Sequence, residues 1–249
     1  MSGTPIADHA LLSDCHSAAL VDRAGSVEWW CAPRFDSPSL FARLLDDNAG
    51  HFSVRPVGDA RVERRYADGS LVLTTVFETA AGTLELTDAL AMGAGVRGHD
   101  LGAGSPRVLL RRAVCTRGTV ELDVDFTPRF EYGLTSPVLQ PTEGGLLARG
   151  GPATLRLSTG VALDVANARA RGRVTLTEGR AAAFAVEHAS SWGAVPSPWS
   201  PERIADRLAD TVAAWRSWEA EHQRYDGPYA ELVRHSGRVL QGLTYQPTR

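Results

Sequence analysis

A chain of 249 residues, 43% hydrophobic and 22% charged, has room for one large or two small soluble domains around a sizeable core. Its formal net charge of −3 argues against nucleic acid as a partner, which would ask for a basic face. No apolar run approaches the roughly 18 residues of a membrane span, and the opening Met-Ser-Gly-Thr-Pro-Ile-Ala lacks the basic-then-apolar order of a signal peptide. No membrane partner is therefore expected, and the cytoplasm is the expected compartment. Cys15, Cys31 and Cys115 are odd in number, widely spaced and set in apolar or strand-like runs, which reads as free, buried thiols in a reducing environment.

Residues 6–12 lead into a hairpin of Ser17–Val21 and Ser26–Cys31, joined across Asp22-Arg23-Ala24-Gly25, whose glycine supplies the positive φ of a tight turn. The second strand alternates, with Val27, Trp29 and Cys31 facing one way and Glu28, Trp30 and Ala32 the other. Trp29 is the expected core aromatic. Pro33 stops the pairing. Asp36 or Ser37 then suits a helix cap with Pro38 at the first helical position. Leu40, Phe41, Leu44 and Leu45 follow at helical spacing, so a short amphipathic helix is expected. His51–Arg55 reads as another strand.

From Arg61 to Glu187 the pattern is strand after strand. Leu71–Thr79 is answered by Thr83–Asp88, and Pro106–Cys115 runs out with Val120–Phe126 returning across Thr116-Arg117-Gly118. Further strands lie near Leu146–Arg149, Ala153–Ser158, Val161–Val165, Arg173–Leu176 and Ala181–Glu187. Gly93–Ser105, with five glycines, reads as a flexible surface loop rather than one lying over a site. Turns at a spacing of roughly 8–12 residues point to a mainly β chain built as a large antiparallel β-sandwich.

Prolines and small residues mark 191–199 as a linker. Ser200-Pro201-Glu202 opens a helix with Ile204, Leu208, Thr211/Val212, Trp215 and Trp218 on one face. Asp226-Gly227-Pro228 breaks it and starts a second helix, with Tyr229, Leu232, Val233, Val239, Leu240 and Leu243 as its apolar stripe. Such a stripe needs a covering element: the helices fold back on the sandwich, or another segment covers the stripe.

The candidate chemistry is sparse. Arg34-Phe35-Asp36 places paired polar groups beside a ring, a composition that suits sugar hydroxyls and a sugar's apolar face; an Arg–Asp pair that merely holds the corner is the plainer reading. Asp14-Cys15-His16 has no second ligand pair at zinc spacing, so no metal is expected. Gly144-Gly145 and Gly150-Gly151 lack the context and the lysine of a phosphate loop and read as turns, so no cofactor is expected. Asp123 and Asp125, alternating with Val120, Leu122, Val124 and Phe126, read as solvated carboxylates on a wet strand face, and Glu187-His188 likewise. Trp215 and Trp218 read as packing.

The run Leu12–Phe41, L-S-D-C-H-S-A-A-L-V-D-R-A-G-S-V-E-W-W-C-A-P-R-F-D-S-P-S-L-F, resembles the opening of bacterial and archaeal members of glycoside hydrolase family 15, the glucoamylase, glucodextranase and trehalase-like enzymes. Ser13 stands where that pattern usually has Gly, Val27 where it has Ile and Glu28 where it has Asp. The resemblance continues at Pro128–Gly133, Tyr225–Tyr229 and Leu243–Thr248. It implies a β-supersandwich over 1–190, a linker and helix over 191–225, and over 226–249 the first helix of an α/α barrel whose remainder lies outside these residues. It also implies inverting hydrolysis of α-glucosides, trehalose or malto-oligosaccharides, by two carboxylates about 6.5–9.5 Å apart. Both belong to barrel positions beyond residue 249, so no catalytic residue is expected in this chain. Arg34, Phe35 and Asp36 become substrate-binding or barrel-interface residues. The implied partners are an α-glucoside carbohydrate and the catalytic barrel, in the same chain or a second one. The alternative is a standalone sugar-binding, regulatory or interaction module without a barrel.

Overall fold

The computed structural model describes residues 4–248; residues 1–3 and 249, which open and close the expected segments, lie outside the described residues. The alternating runs are strands: β1 (Ala10–Ser13), β2 (Ala18–Val21), β3 (Ser26–Cys31), β4 (Ser39–Phe41), β5 (His51–Pro56), β6 (Arg61–Tyr66), β7 (Leu73–Glu78), β8 (Gly82–Leu90), β9 (Val108–Thr127), β10 (Val138–Thr142), β11 (Gly145–Gly150), β12 (Ala153–Thr159), β13 (Asp164–Ala166), β14 (Arg169–Thr177) and β15 (Ala181–Ser190). Two helices follow, α1 (Pro201–His222) and α2 (Ala230–Gly242). All strand pairs are antiparallel, in two facing layers. The first has the order β1-β2-β3-β5-β9-β14-β13, with β4 paired to β3. The second has the order β6-β7-β8-β9-β15-β12-β11-β10.

Strand β9 belongs to both layers, which corrects the hairpin expected at Thr116-Arg117-Gly118. Residues 108–118 pair with β8 and β15, residues 119–127 with β5 and β14, and the chain never reverses. The register slips as Thr83 faces Arg117 and Leu84 faces Cys115, leaving Thr116 as a bulge, with Gly118 at φ +69°. A glycine of positive φ serves a bulge as well as a hairpin turn, so the local pattern fits both. Beside it β14 and β15 bend together: Cys115 N–H donates to Arg180 O at 3.0 Å and Gly179 N–H to Cys115 O at 2.8 Å.

Between the layers lies an aromatic chain. Trp30 stacks on Phe41 (6.2 Å), Phe41 meets Phe126 edge-on (5.9 Å), Phe126 meets Phe52 (5.3 Å), and Phe52 crosses to Phe184 of the other layer (5.8 Å). Trp30, not Trp29, is therefore the core aromatic; Trp29 is half-buried against Tyr132. Leu20 faces Trp29 but Val21 faces Val27, so Glu28 is a bulge that breaks the expected alternation and puts Val27 and Trp30 in the same core. The helix expected over Leu40–Leu45 is absent. Ser39, Leu40 and Phe41 are all buried in β4, with Phe41 opposite Trp30, because pairing to β3 outweighs a weak local helical spacing. β1 and β10 had no recognised strand pattern.

Helix α1 matches its sequence pattern. The Ser200 hydroxyl caps it, accepting from Arg203 N–H at 3.2 Å. Ile204 and Leu208 pack on Val108, Leu110, Ala183 and Ala185, the outer face of the second layer, while Trp215 and Trp218 pack with Leu71, Met92 and Leu101. Gly93–Ser105 is not a flexible surface excursion but is clasped by this helix. Gly95 N–H donates to Asp210 Oδ2 (2.9 Å), Gly98 N–H to Ser217 Oγ (2.8 Å), and Leu101 is fully buried. A β-carbon on Gly98 would lie 2.2 Å from Glu221 Oε1, so the glycine lets loop and helix touch.

One polar side chain ties the layers. Arg111 of β9 is fully buried and donates from Nε to Asp88 Oδ1 (2.8 Å), from Nη1 to Phe52 O (2.6 Å) and from Nη2 to Gly25 O (2.8 Å). Removing one partner of a buried pair costs about 3–5 kcal/mol. Arg111→Met should thus lower the melting temperature by roughly 10 °C for a chain of this size. Trp30→Ala should cost about 3–5 kcal/mol and Trp29→Ala clearly less, both read by thermal denaturation; equal losses for the two tryptophans would contradict the core assignment.

Candidate functional site

The corner after β3 is a closed turn. Ser37 Oγ accepts from Arg34 N–H at 3.2 Å, and Ser37 N–H donates back to Arg34 O at 3.2 Å. At its tip Arg34 forks onto Asp36, Nε to Oδ1 at 2.8 Å and Nη2 to Oδ2 at 3.3 Å. Both are solvent-exposed. The shared hydrogen bond, with their mutual attraction, raises the Arg34 pKa and lowers that of Asp36. The pair keeps both charges and offers donors and acceptors side by side.

Tyr245 completes this corner. The Arg34 guanidinium lies 4.7 Å from the Tyr245 ring centre, Phe35 meets that ring edge-on at 6.4 Å, and His16 does so at 5.6 Å. Gln246 N–H donates to Cys15 O at 2.9 Å and fixes the tyrosine there. The fold thus brings Arg34, Phe35 and Asp36 together with His16, weighed above only as a metal ligand, and with Tyr245, which the residue pattern does not single out. Tyr245 lies within the recognised Leu243–Thr248 motif, and that was the available signal.

Helix α2 stands beside this cluster with its faces reversed from what its stripe suggests. Its polar and small residues are the ones that dock. Arg238 is buried and paired with Glu219 of α1 and with Glu231 (Nη2 to Oε1, 2.7 Å). Ser13 Oγ donates to Gly242 O at 2.5 Å, and His235 meets the Tyr66 ring at 5.3 Å. Of the apolar stripe, Val239 alone packs inward; Tyr229 is 80% exposed and Leu240 70%, with Leu232, Val233 and Leu243 also exposed.

The remaining candidates have structural duties. Asp14 lies in the turn between β1 and β2, its Oδ1 accepting from His16 N–H (3.0 Å) and Ser17 N–H (2.7 Å) and its Oδ2 from Ser105 Oγ (2.5 Å). Among the described residues no group of three or more His, Cys, Asp or Glu side chains is arranged to hold a metal ion. Glu187 accepts from Trp199 Nε1–H at 2.7 Å. Trp215 and Trp218 are core residues.

Asp125 corrects the wet-face expectation. It is buried, and accepts from Arg169 Nε (2.7 Å), Thr127 Oγ1 (2.8 Å) and Arg171 Nε (3.3 Å), with His51 Nε2 at 3.5 Å. The hairpin of β13 and β14 brings these arginines over the outer face, beside an open hollow of about 580 Å³ that Asp47 and Arg129 also line. Asp123, paired with Arg173 at 3.2 Å, remains near the surface. Burial pushes the Asp125 carboxyl up, but hydrogen bonds from His51, Arg169 and Thr127 outweigh it and hold the group well below the ordinary carboxylate range. A depressed folded-state pKa stabilises above the unfolded value near 3.8 and is lost as pH falls through the folded one. Melting curves in the acid range should show wild type losing stability below about pH 4. Asp125→Asn should be less stable at neutral pH and should converge on wild type in acid; parallel curves would contradict the assignment.

Compared with known proteins, the chain matches the family described as "Trehalase-like, N-terminal" over residues 1–205. It is 38% identical over 265 residues to a trehalase of Mycolicibacterium smegmatis, covering 98% of this chain and 39% of that protein. It is 37% identical to a trehalase of Mycobacterium tuberculosis, over 98% of this chain and 38% of that one. A trehalase of Thermoplasma volcanium is 27% identical over 250 residues, 96% of this chain and 38% of that protein. The chain thus spans about two fifths of the length of these relatives.

Proposed function

Because this chain belongs to the trehalase-like N-terminal family, we propose that it is the non-catalytic β-domain of an inverting glycoside hydrolase acting on α-glucosides, trehalose or malto-oligosaccharides. In this reading 1–190 is the sandwich, 191–225 the linker and helix, and 226–249 the first helix of a catalytic α/α barrel. The barrel, continuous with this chain or a second one, supplies the acid and the base; this domain packs on it and shapes the substrate side. Trehalose heads the substrates because the relatives named above are trehalases. Cys31 and Cys115, buried and in no disulfide, support a reducing, cytoplasmic setting.

The observation that carries the reading is α2. A helix tethered by Arg238 and Gly242 while Tyr229, Leu232, Leu240 and Leu243 face outward is built to receive a second apolar surface. The corner lies beside it. The Arg34–Asp36 fork can hydrogen-bond vicinal sugar hydroxyls, and Phe35 and Tyr245 offer ring faces to sugar C–H groups.

A polypeptide extended to the length of the relatives should release glucose from trehalose, and the 249-residue chain should release none. In the extended protein, Arg34→Ala should cut kcat/KM about tenfold or more, as expected for losing a hydrogen bond to a charged group, without lowering the melting temperature. Glucose release by the present chain would overturn the non-catalytic assignment. An extended protein inert towards every α-glucoside would overturn the glycosidase reading.

A further inference from the structure

A pocket of about 260 Å³ lies beside the corner, which lends it Pro33 and Ser37, and no residue of α2 lines it. Ala32, Pro33, Pro38 and Leu40 wall it from the first layer, with Phe130 and Pro152 closing the sides. Its polar residues are Ser37, Ser39, Glu131, His188 and Ser190. On β15, Ala182, Phe184 and Val186 face the inter-layer core, whereas Ala183 and Ala185 face α1. His188 continues the inward row, at the point where the core opens. Its Nδ1 is buried and has no hydrogen-bond partner, a condition native proteins rarely leave uncompensated. Burial, and then the charge of Arg107, lower its pKa to about 4. The ring is therefore neutral at physiological pH, with one N–H to donate and one lone pair to accept.

Trp192 stands on the rim, 83% exposed. Ser191 N–H donates to Pro152 O (2.9 Å), Ser191 Oγ to Gly151 O (2.9 Å) and Gly193 N–H to Ser190 O (3.0 Å). These bonds fix the turn that carries the indole, so a large apolar ring is presented to solvent on a braced support. The Glu131 carboxylate accepts from Thr135 Oγ1 at 3.3 Å. The volume is below the ~300–1,000 Å³ of sites for drug-sized ligands, and suits one ring rather than two.

We infer that this pocket binds a single hexopyranose ring, free or at the end of an oligosaccharide, with its C–H face on Trp192 and its hydroxyls on Glu131 and Ser190. The choice of a sugar rests on the carbohydrate reading above; the site itself rests on the pocket, its Glu131 and Ser190, and the braced indole.

The test is saturation-transfer NMR of the 249-residue chain with methyl α-glucoside, trehalose and maltotriose. Saturable binding in the millimolar range is expected. Trp192→Ala should weaken it about tenfold or more while leaving the melting temperature unchanged, since that side chain is exposed. His188→Phe should weaken it too, by filling the pocket. Comparable affinity for methyl α-glucoside and trehalose would support a free-ring site, and preference for maltotriose a chain-end site. No saturation with any of the three sugars, or undiminished binding to Trp192→Ala, would overturn the inference. An extended protein that fails to hydrolyse α-glucosides while this titration succeeds would remove the glycosidase reading and leave the sugar site standing; the converse would remove the site alone.

Discussion

The guanidinium of Arg111 is the constraint on which the two-layer arrangement rests. It sits where β9 faces the opposite layer, and it donates to the carbonyls of Phe52 and Gly25 while Asp88 balances its charge. Those carbonyls belong to β5 and to the turn before β3. Gly25 O also accepts from Val54 N–H at 3.1 Å, so the turn is drawn into the core. A β-carbon on Gly25 would lie 2.6 Å from Val54 O, which is why glycine serves there. A buried charge of this kind is weak as a source of stability but demanding in geometry: the placement of the β2–β3 hairpin brings the Gly25 carbonyl to its Nη2.

That placement has functional reach. The hairpin carries the corner, and the corner's position decides what Arg34 and Phe35 meet. They meet Tyr245, which arrives through α1, α2 and the bond from Gln246 to Cys15. The same Ala32–Leu40 segment turns Pro33 and Pro38 towards the pocket at the sandwich end. One rigid connection thus has two working faces, one beside the exposed side of α2 and one beside Trp192. Its rigidity is inherited from the aromatic chain through Trp30 and Phe41 beneath it.

Outside the sandwich, α1 acts as a brace. It covers the second layer with Ile204 and Leu208, seats the glycine-rich loop through Asp210 and Ser217, and offers Glu219 to Arg238 of α2. The second helix is therefore held on a platform that already exists, with its apolar face left free. This arrangement suits a domain that meets another body along one prepared surface.

The sequence by itself determined the β architecture, the cap and buried face of α1, and the motif residues of the corner. Each is a local pattern, readable because side-chain direction follows a period of 2 in strands and 3.6 in helices. Only the tertiary structure decided which tryptophan lies inside, because pairing with β2 places a bulge at Glu28 that interrupts the alternation of β3. It decided that Leu40 and Phe41 pair as a strand, and that Thr116-Arg117-Gly118 is a bulge in one long strand, because each pattern fits two geometries that differ only in distant partners. It turned Asp125 from a solvated carboxylate into a buried one, through arginines more than forty positions away. The corner's companion Tyr245 and the inward-facing His188 were likewise set by contacts far apart in the chain, where sequence spacing carries no distance.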